Sequence, residues 1–403
     1  NGAVLKNVIF ENTSVGSGVT MSGNLVVTGN LTNTGKLTGT STDSVSVGGT
    51  LDDSAGTWNH AGQIILNGTN TAESPQIFKP NSSTTYSDVS IQNNVEIRNA
   101  TQKGDLSVNK LTVGDASNAK SLSAKSLSVE KKSGTLGTSS INGTVFTQMD
   151  QTYEGVVTLT GESTFSEGYS DKTISFNEGF SGTNSFALTI NGNTVIKGEN
   201  TFTNLTIDNS GIASETTASF EGGKLQKIGT CSFKGKDAAN TLTLKSTDTT
   251  NWKVYFSSNP SGKFSNVLVS QSSSVNSTGS ASLDLGLKQS SETVFEKLDD
   301  NGNSSNENFF DYKYTWTGGG TDAGWKTSGN WKYTDGTAFV FYQPYGTKLA
   351  EIIIDTTGND LNLESGISSG SPLVTVSNIQ LKSLTINSAK RIDIGSCTIT
   401  ADT

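Results

Sequence analysis

From Ala3 to about Leu287, apolar and polar residues alternate in runs of three to five, separated by small polar pairs. GNLVVTGNLTNTGKLTGT (23–40) places Leu25 and Val27, then Leu31 and Leu37, on one side of a period of two, with Gly-Asn corners between runs. That period belongs to a strand whose successive side chains face opposite sides. No window carries the i, i+3, i+4, i+7 spacing of a sustained amphipathic helix, so almost no α-helix is expected. Runs this short do not build ordinary long hairpins. They suit a coil of short strands, each stacking on the same strand of the next coil.

One phrase recurs. FTNLTIDNS (202–210) opens on an apolar residue, passes a small polar pair, alternates, and ends in Ser, Thr or Asn. LKNVIFENT at Leu5, YSDVSIQNN at Tyr86, FSNVLVSQS at Phe264 and LKSLTINSA at Leu381 follow the same scheme. Phe202 to Phe264 is 62 residues and Leu5 to Tyr86 is 81, both near multiples of a ~20-residue rung. LSVNKLTV (106–113) and LSAKSLSV (122–129) lie only 16 apart, so rung length varies. In a parallel β-helix each strand bonds to the rungs above and below at ~4.8 Å. Leu205 and Ile207 are expected to stack inward, with Thr206 and Asp208 facing water. Repetition is required because one rung cannot bury its own apolar face. Roughly 18 rungs would give a rod on the order of 80–90 Å long.

Composition agrees with this picture. Only 32% of the 403 residues are hydrophobic and 16% charged, with 44 Gly against 5 Pro. Thr favours strands, while Gly and Asn favour corners. A net charge of −9 without any Lys/Arg cluster lacks a nucleic-acid footprint. Nothing approaches the ~18 consecutive apolar residues of a membrane span. The chain opens at Asn1 with neither Met nor an apolar leader, which reads as a mature product or a fragment. Cys231 and Cys397 are expected on separate rungs, as buried small residues rather than as a bridge.

Four stretches follow: a β-helix over 1–294; an acidic, Asn-rich linker or loop over 295–311 (FEKLDDNGNSSNENFFD); a Trp/Gly-rich insertion or small module over 312–345; and a further strand-rich segment over 346–403. Several of these segments resemble the repeat-bearing regions of filamentous-haemagglutinin-like adhesins and autotransporter passengers of bacterial surfaces. GQIILNGTNTAESPQIFKPNSSTTYSDVSIQNN (62–94), NTLTLKSTDTTNWKVYFSS (240–258) and YTWTGGGTDAGWKTSGNWKY (314–333) carry the resemblance. It implies an all-β, right-handed parallel β-helix, export to the bacterial cell surface and usually no enzymatic role. The acidic break at 295–311 departs from continuous repetition.

Candidate chemistry is sparse. His60, the sole histidine, has no second His or nearby Cys to complete a zinc site and reads as a turn residue beside Trp58. Asp52-Asp53 and Asp299-Asp300 are adjacent carboxylates, whose strand neighbours point to opposite faces and so form no dyad by themselves. Glu215 and Glu221 flank a strand. A polysaccharide-active lyase or glycoside hydrolase would need carboxylates from distant rungs converging on one groove. Asp299, Asn301 and Asn303 alternate as Ca²⁺ loop ligands do, but Ser304 and Phe310 stand where the EF-hand pattern needs Gly and Glu. That stretch therefore reads as a Ca²⁺ site or as a solvated loop. Trp316, Trp325 and Trp331, extended by Tyr342 and Tyr345, read either as a glycan-stacking surface or as the packed core of a small module. The resulting expectation is a non-enzymatic extracellular scaffold presenting binding surfaces to glycan, host or neighbouring subunits. A self-assembling fibre or surface-layer subunit is the alternative, and a polysaccharide-active enzyme a further one.

Overall fold

A computed structural model describes residues 3–11, 18–131, 134–181, 183–237, 239–256, 262–274 and 293–296, followed by eight strands within 313–401. The described residues contain strands and turns and no helix. Short parallel strands stack as a β-solenoid of about 11 turns.

Each turn visits three faces in a fixed order. Leu25–Val27 lies on the first face, Leu31–Asn33 on the second and Lys36–Gly39 on the third. The next turn repeats them as Ser44–Val47, Leu51–Asp52 and Thr57–His60, paired in parallel with the strands before. The third face continues as nine parallel strands from Thr85–Tyr86 to Val267–Val269. The second face reaches Thr293–Glu296, which pairs with Gly262–Ser265. The ladder thus enters the first two residues of the stretch read as a linker. Residues 297–312 lie outside the described ones.

Register stacks like on like. Along the second face, Leu122, Val145, Phe165, Ile190, Ile207 and Phe233 form one inward column over six turns, each at most 1% exposed. Leu205 and Ile207 both point inward, as expected, and Cys231 is register partner to Leu205 in the same interior. The outward partners are Ser121, Thr144, Thr164, Thr189, Thr206 and Ser232, an unbroken row of hydroxyls. A narrow interior fed from three sides needs few apolar residues per turn, which is why a lean composition suffices.

The recurring phrase proves to be a corner and not a rung. Phe202 closes the first face and Leu205 begins the second. Phe264 closes the second face before Val267–Val269 on the third, and Tyr86 closes the third before Asp88–Ile91 on the first. The copies therefore sit on different faces, and 62 residues is not a whole number of turns. In register, Phe202 meets Ile228 and Ile228 meets Phe256. One turn can be as short as Leu188 to Leu205 or as long as Phe233 to Phe264. The described stack of about 11 turns is roughly 50 Å long at ~4.8 Å per turn, whereas the roughly 18 rungs expected were for the whole chain of 403 residues.

Corners are sealed by side-chain amides. Asn30 N–H donates to Asn7 Oδ1 and Thr50 N–H to Asn30 Oδ1, both at 2.8 Å, carrying the ladder around the first bend. Buried Asn200 accepts from Phe180 N–H at 2.7 Å and donates to Gln226 Oε1 at 2.9 Å. Backbone groups at a bend lose their ladder partner, and the amide replaces it. Gly143 makes a corner inside the continuous strand Thr138–Thr147, with φ +123° and Lys120 O only 2.0 Å from where a Cβ would stand.

In the C-terminal part, Lys313–Trp316, Glu351–Ile354 and Ser383–Ile386 pair in parallel, as do Leu361–Asn362 with Ile392–Asp393 and Ile379–Leu381 with Ile399–Ala401. Trp331–Tyr333 runs antiparallel against Lys313–Trp316.

Candidate functional site

Among the described residues, two carboxyls are driven upward by burial, and each anchors a candidate site. The first begins at the strand Leu51–Asp52. Alternation turns Asp52 outward, where Lys79 Nζ lies 2.9 Å from Oδ2 and Ser54 Oγ 2.6 Å from Oδ1. Burial pushes the Asp52 carboxyl up, but these hydrogen bonds outweigh it and its pKa is lowered. Asp53 shares the inward phase of Leu51 and is 0% exposed. Its Oδ1 accepts from Asn33 Nδ2 at 2.6 Å, one turn earlier, and its Oδ2 from the Tyr86 hydroxyl at 2.7 Å, one turn later. The Tyr86 hydroxyl oxygen (Oη) in turn accepts from Asn81 N–H at 2.9 Å. Burial raises Asp53 to about 6 despite the two donors, and neighbouring Asp52 adds to the rise.

Aromatic rings close this network. Tyr86 meets Phe78 at 5.3 Å and Trp58 at 5.9 Å, both edge-on. His60 is not the turn residue expected. It ends the strand Thr57–His60, is 2% exposed, and lies 6.0 Å from Trp58. The cause is phase: Trp58 and His60 both fall on the inward side. His60 Nδ1 accepts from Gly62 N–H at 3.2 Å, while His60 Nε2 and Trp58 Nε1 are buried without a protein partner. Burial lowers the His60 pKa, and Asp43 opposes the shift.

The second place is the corner after Val157–Glu167. Glu167 shares the inward phase of Phe165; its Oε1 accepts from Asn193 N–H at 2.7 Å and its Oε2 is buried without a partner. Burial raises its pKa to about 8, and Asp150 from the previous turn and Asp171 add to the rise. Asp171 is paired with Lys172 at 2.8 Å, and Tyr169 beside them is exposed. Burial, with Asp150 and Asp171 adding to it, keeps Glu167 protonated near neutral pH, the state a general acid needs.

Of the residues singled out in the sequence, Trp316 and Trp331 are register partners across the antiparallel hairpin. Trp325, Tyr342 and Tyr345 lie outside the described residues, as do Asp299, Asn301 and Asn303 of the Ca²⁺ reading. Glu215 and Glu221 flank the strand Thr216–Phe220, and Glu221 Oε2 accepts from Gly198 N–H at 2.7 Å. No group of three or more His, Cys, Asp or Glu able to hold a metal occurs among the described residues. Nor is any described helix long and apolar enough to cross a membrane. Glu167, Asp150 and Asp171 escaped the sequence reading, which weighed adjacent carboxylates. The available signal was a charged residue in the inward phase at the end of a run, which Asp53 and Glu167 share.

Set against known proteins, the chain matches no family model, no curated protein and no solved structure. The class that the geometry defines is the parallel β-solenoid.

Proposed function

We propose that this protein is a non-enzymatic extracellular scaffold of the bacterial cell surface that displays adhesive surfaces to glycan, host or neighbouring subunits. The observation that carries the reading is the continuous ladder, with interior columns of Leu, Ile, Val and Phe and outward rows of Ser and Thr in register over many turns. A solenoid built this way keeps its apolar columns inside and presents its hydroxyl rows outward. The Trp316/Trp331 hairpin is the place assigned to ligand, because rigid aromatic residues on a short strand pair supply contact area at little entropic cost. Replacing Trp325 or Trp331 by Ala is expected to abolish binding to glycan or cells while the rest of the chain stays folded. Retained binding would overturn this assignment. Electron microscopy of the purified protein should show isolated stiff rods; ordered polymers would favour the fibre or surface-layer reading.

The Glu167 corner favours a second reading, a polysaccharide-active enzyme. Turnover of a polysaccharide that disappears in Glu167→Gln would establish it, and absence of turnover across acidic and neutral substrates would remove it.

A further inference from the structure

Asp53 is an uncommon kind of core residue. It is 0% exposed, both of its oxygens are held by neutral donors, and those donors come from the turns on either side. Its backbone joins the same tie, with Asp53 N–H donating to Lys79 O at 2.8 Å. The adjacent cation, Lys79 Nζ, is engaged by Asp52 on the outer side. A buried carboxylate without a counter-charge is costly when ionised and cheap when protonated.

We propose that the Asn33–Asp53–Tyr86 contact is a proton-operated latch that ties three successive turns of the solenoid, tight in mildly acidic surroundings and weakened in neutral and alkaline ones.

The groups around Asp53 fix the direction. On its own strand Asp52 repels the anion. From the following turn come Tyr86, whose hydroxyl is driven further from ionisation by burial and by Asp53, and Lys79, turned outward to Asp52. Asn33, on the preceding turn, carries no charge. On the third face His60 answers to Asp43 and not to Asp53. Asp53 is held near 6 against an ordinary value of 3.8, so the closed corner binds its proton more tightly than the open one. Stability from this group is complete below the open-state value and drains away as pH rises through about 6. His60, buried neutral, runs the opposite way and loses stability as pH falls. Any test must separate the two.

Hydrogen exchange by mass spectrometry on the full chain does so, read at segments 33–35, 53–57 and 81–86 after correction for intrinsic rates. The quantity is the local opening constant of wild type divided by that of Asp53→Asn, in which His60 cancels. That ratio is expected to rise roughly tenfold between pH 5 and pH 8, from a carboxyl moved from 3.8 to about 6. A ratio independent of pH overturns the latch. Should Asp53→Asn fail to fold, Tyr86→Phe takes its place: losing one donor to the carboxylate moves the midpoint of the wild-type transition upward. An unmoved midpoint is equally fatal.

Discussion

Phe176 is where the three faces meet, and replacing it tests the solenoid most directly. It sits on the third face, fully buried, stacked on Tyr153 of the previous turn at 5.2 Å and 10°. Phe165 from the second face meets it edge-on at 5.1 Å, and Phe180 from the first lies at 4.7 Å. Phe176→Ala removes a ring with aromatic neighbours on three sides, in a column whose backbone spacing is fixed by the ladder and cannot collapse. A cost of about 4 kcal/mol is expected, in the middle of the range for buried Phe to Ala. At 1.36 kcal/mol per tenfold, that is roughly a 1000-fold rise in the local opening constant. Because each turn contacts only its neighbours, the damage should stay local. Hydrogen exchange at 151–153, 163–167 and 193–196 should accelerate accordingly, while Leu25–Val27 and Leu242–Ser246 keep their wild-type rates. Uniform loss of protection along the chain, or a cost below about 1 kcal/mol at the site, would refute the stacked, nearest-neighbour architecture.

Other consequences follow from single residues. Gly143→Ala forces an L-residue into φ +123° and sets its Cβ 2.0 Å from Lys120 O, so at least about 2 kcal/mol should be lost in thermal or denaturant unfolding. Glu167, raised to about 8, contributes stability that is complete below its open-state value near 4.5 and lost as pH climbs through 8; Glu167→Gln should flatten the melting temperature between pH 6 and 9. The Cys231 thiol, buried and with its pKa raised by desolvation, should resist alkylation at pH 8 in the folded protein and react once it is denatured, as read by peptide mass spectrometry. Lys79→Ala, by contrast, breaks a partly exposed pair with Asp52 on the outer side and should cost under about 1 kcal/mol.

The alternation around Leu25, Leu205 and Ile207 settled strand identity, inward phase and the need to stack, because side-chain direction along a strand follows from local backbone geometry alone. Composition settled the corners, since Gly and Asn are the residues that bend a chain and satisfy its freed amides. The same phase turns Asp53 and Glu167 inward at the ends of their runs, a signal that a search for adjacent carboxylates passes over. What the chain could not announce was which face each strand joins. A corner phrase looks the same whether Phe202 is passing from the first face to the second or Phe264 from the second to the third. Register between turns is set by long-range pairing, and loops of different length erase any fixed period. For the same reason only the folded stack brings Asn33, Asp53 and Tyr86 into one hydrogen-bonded line, or sets Asp150 beside Glu167. Sequence fixes the direction of a side chain locally, whereas its neighbours are chosen by the turn above and the turn below.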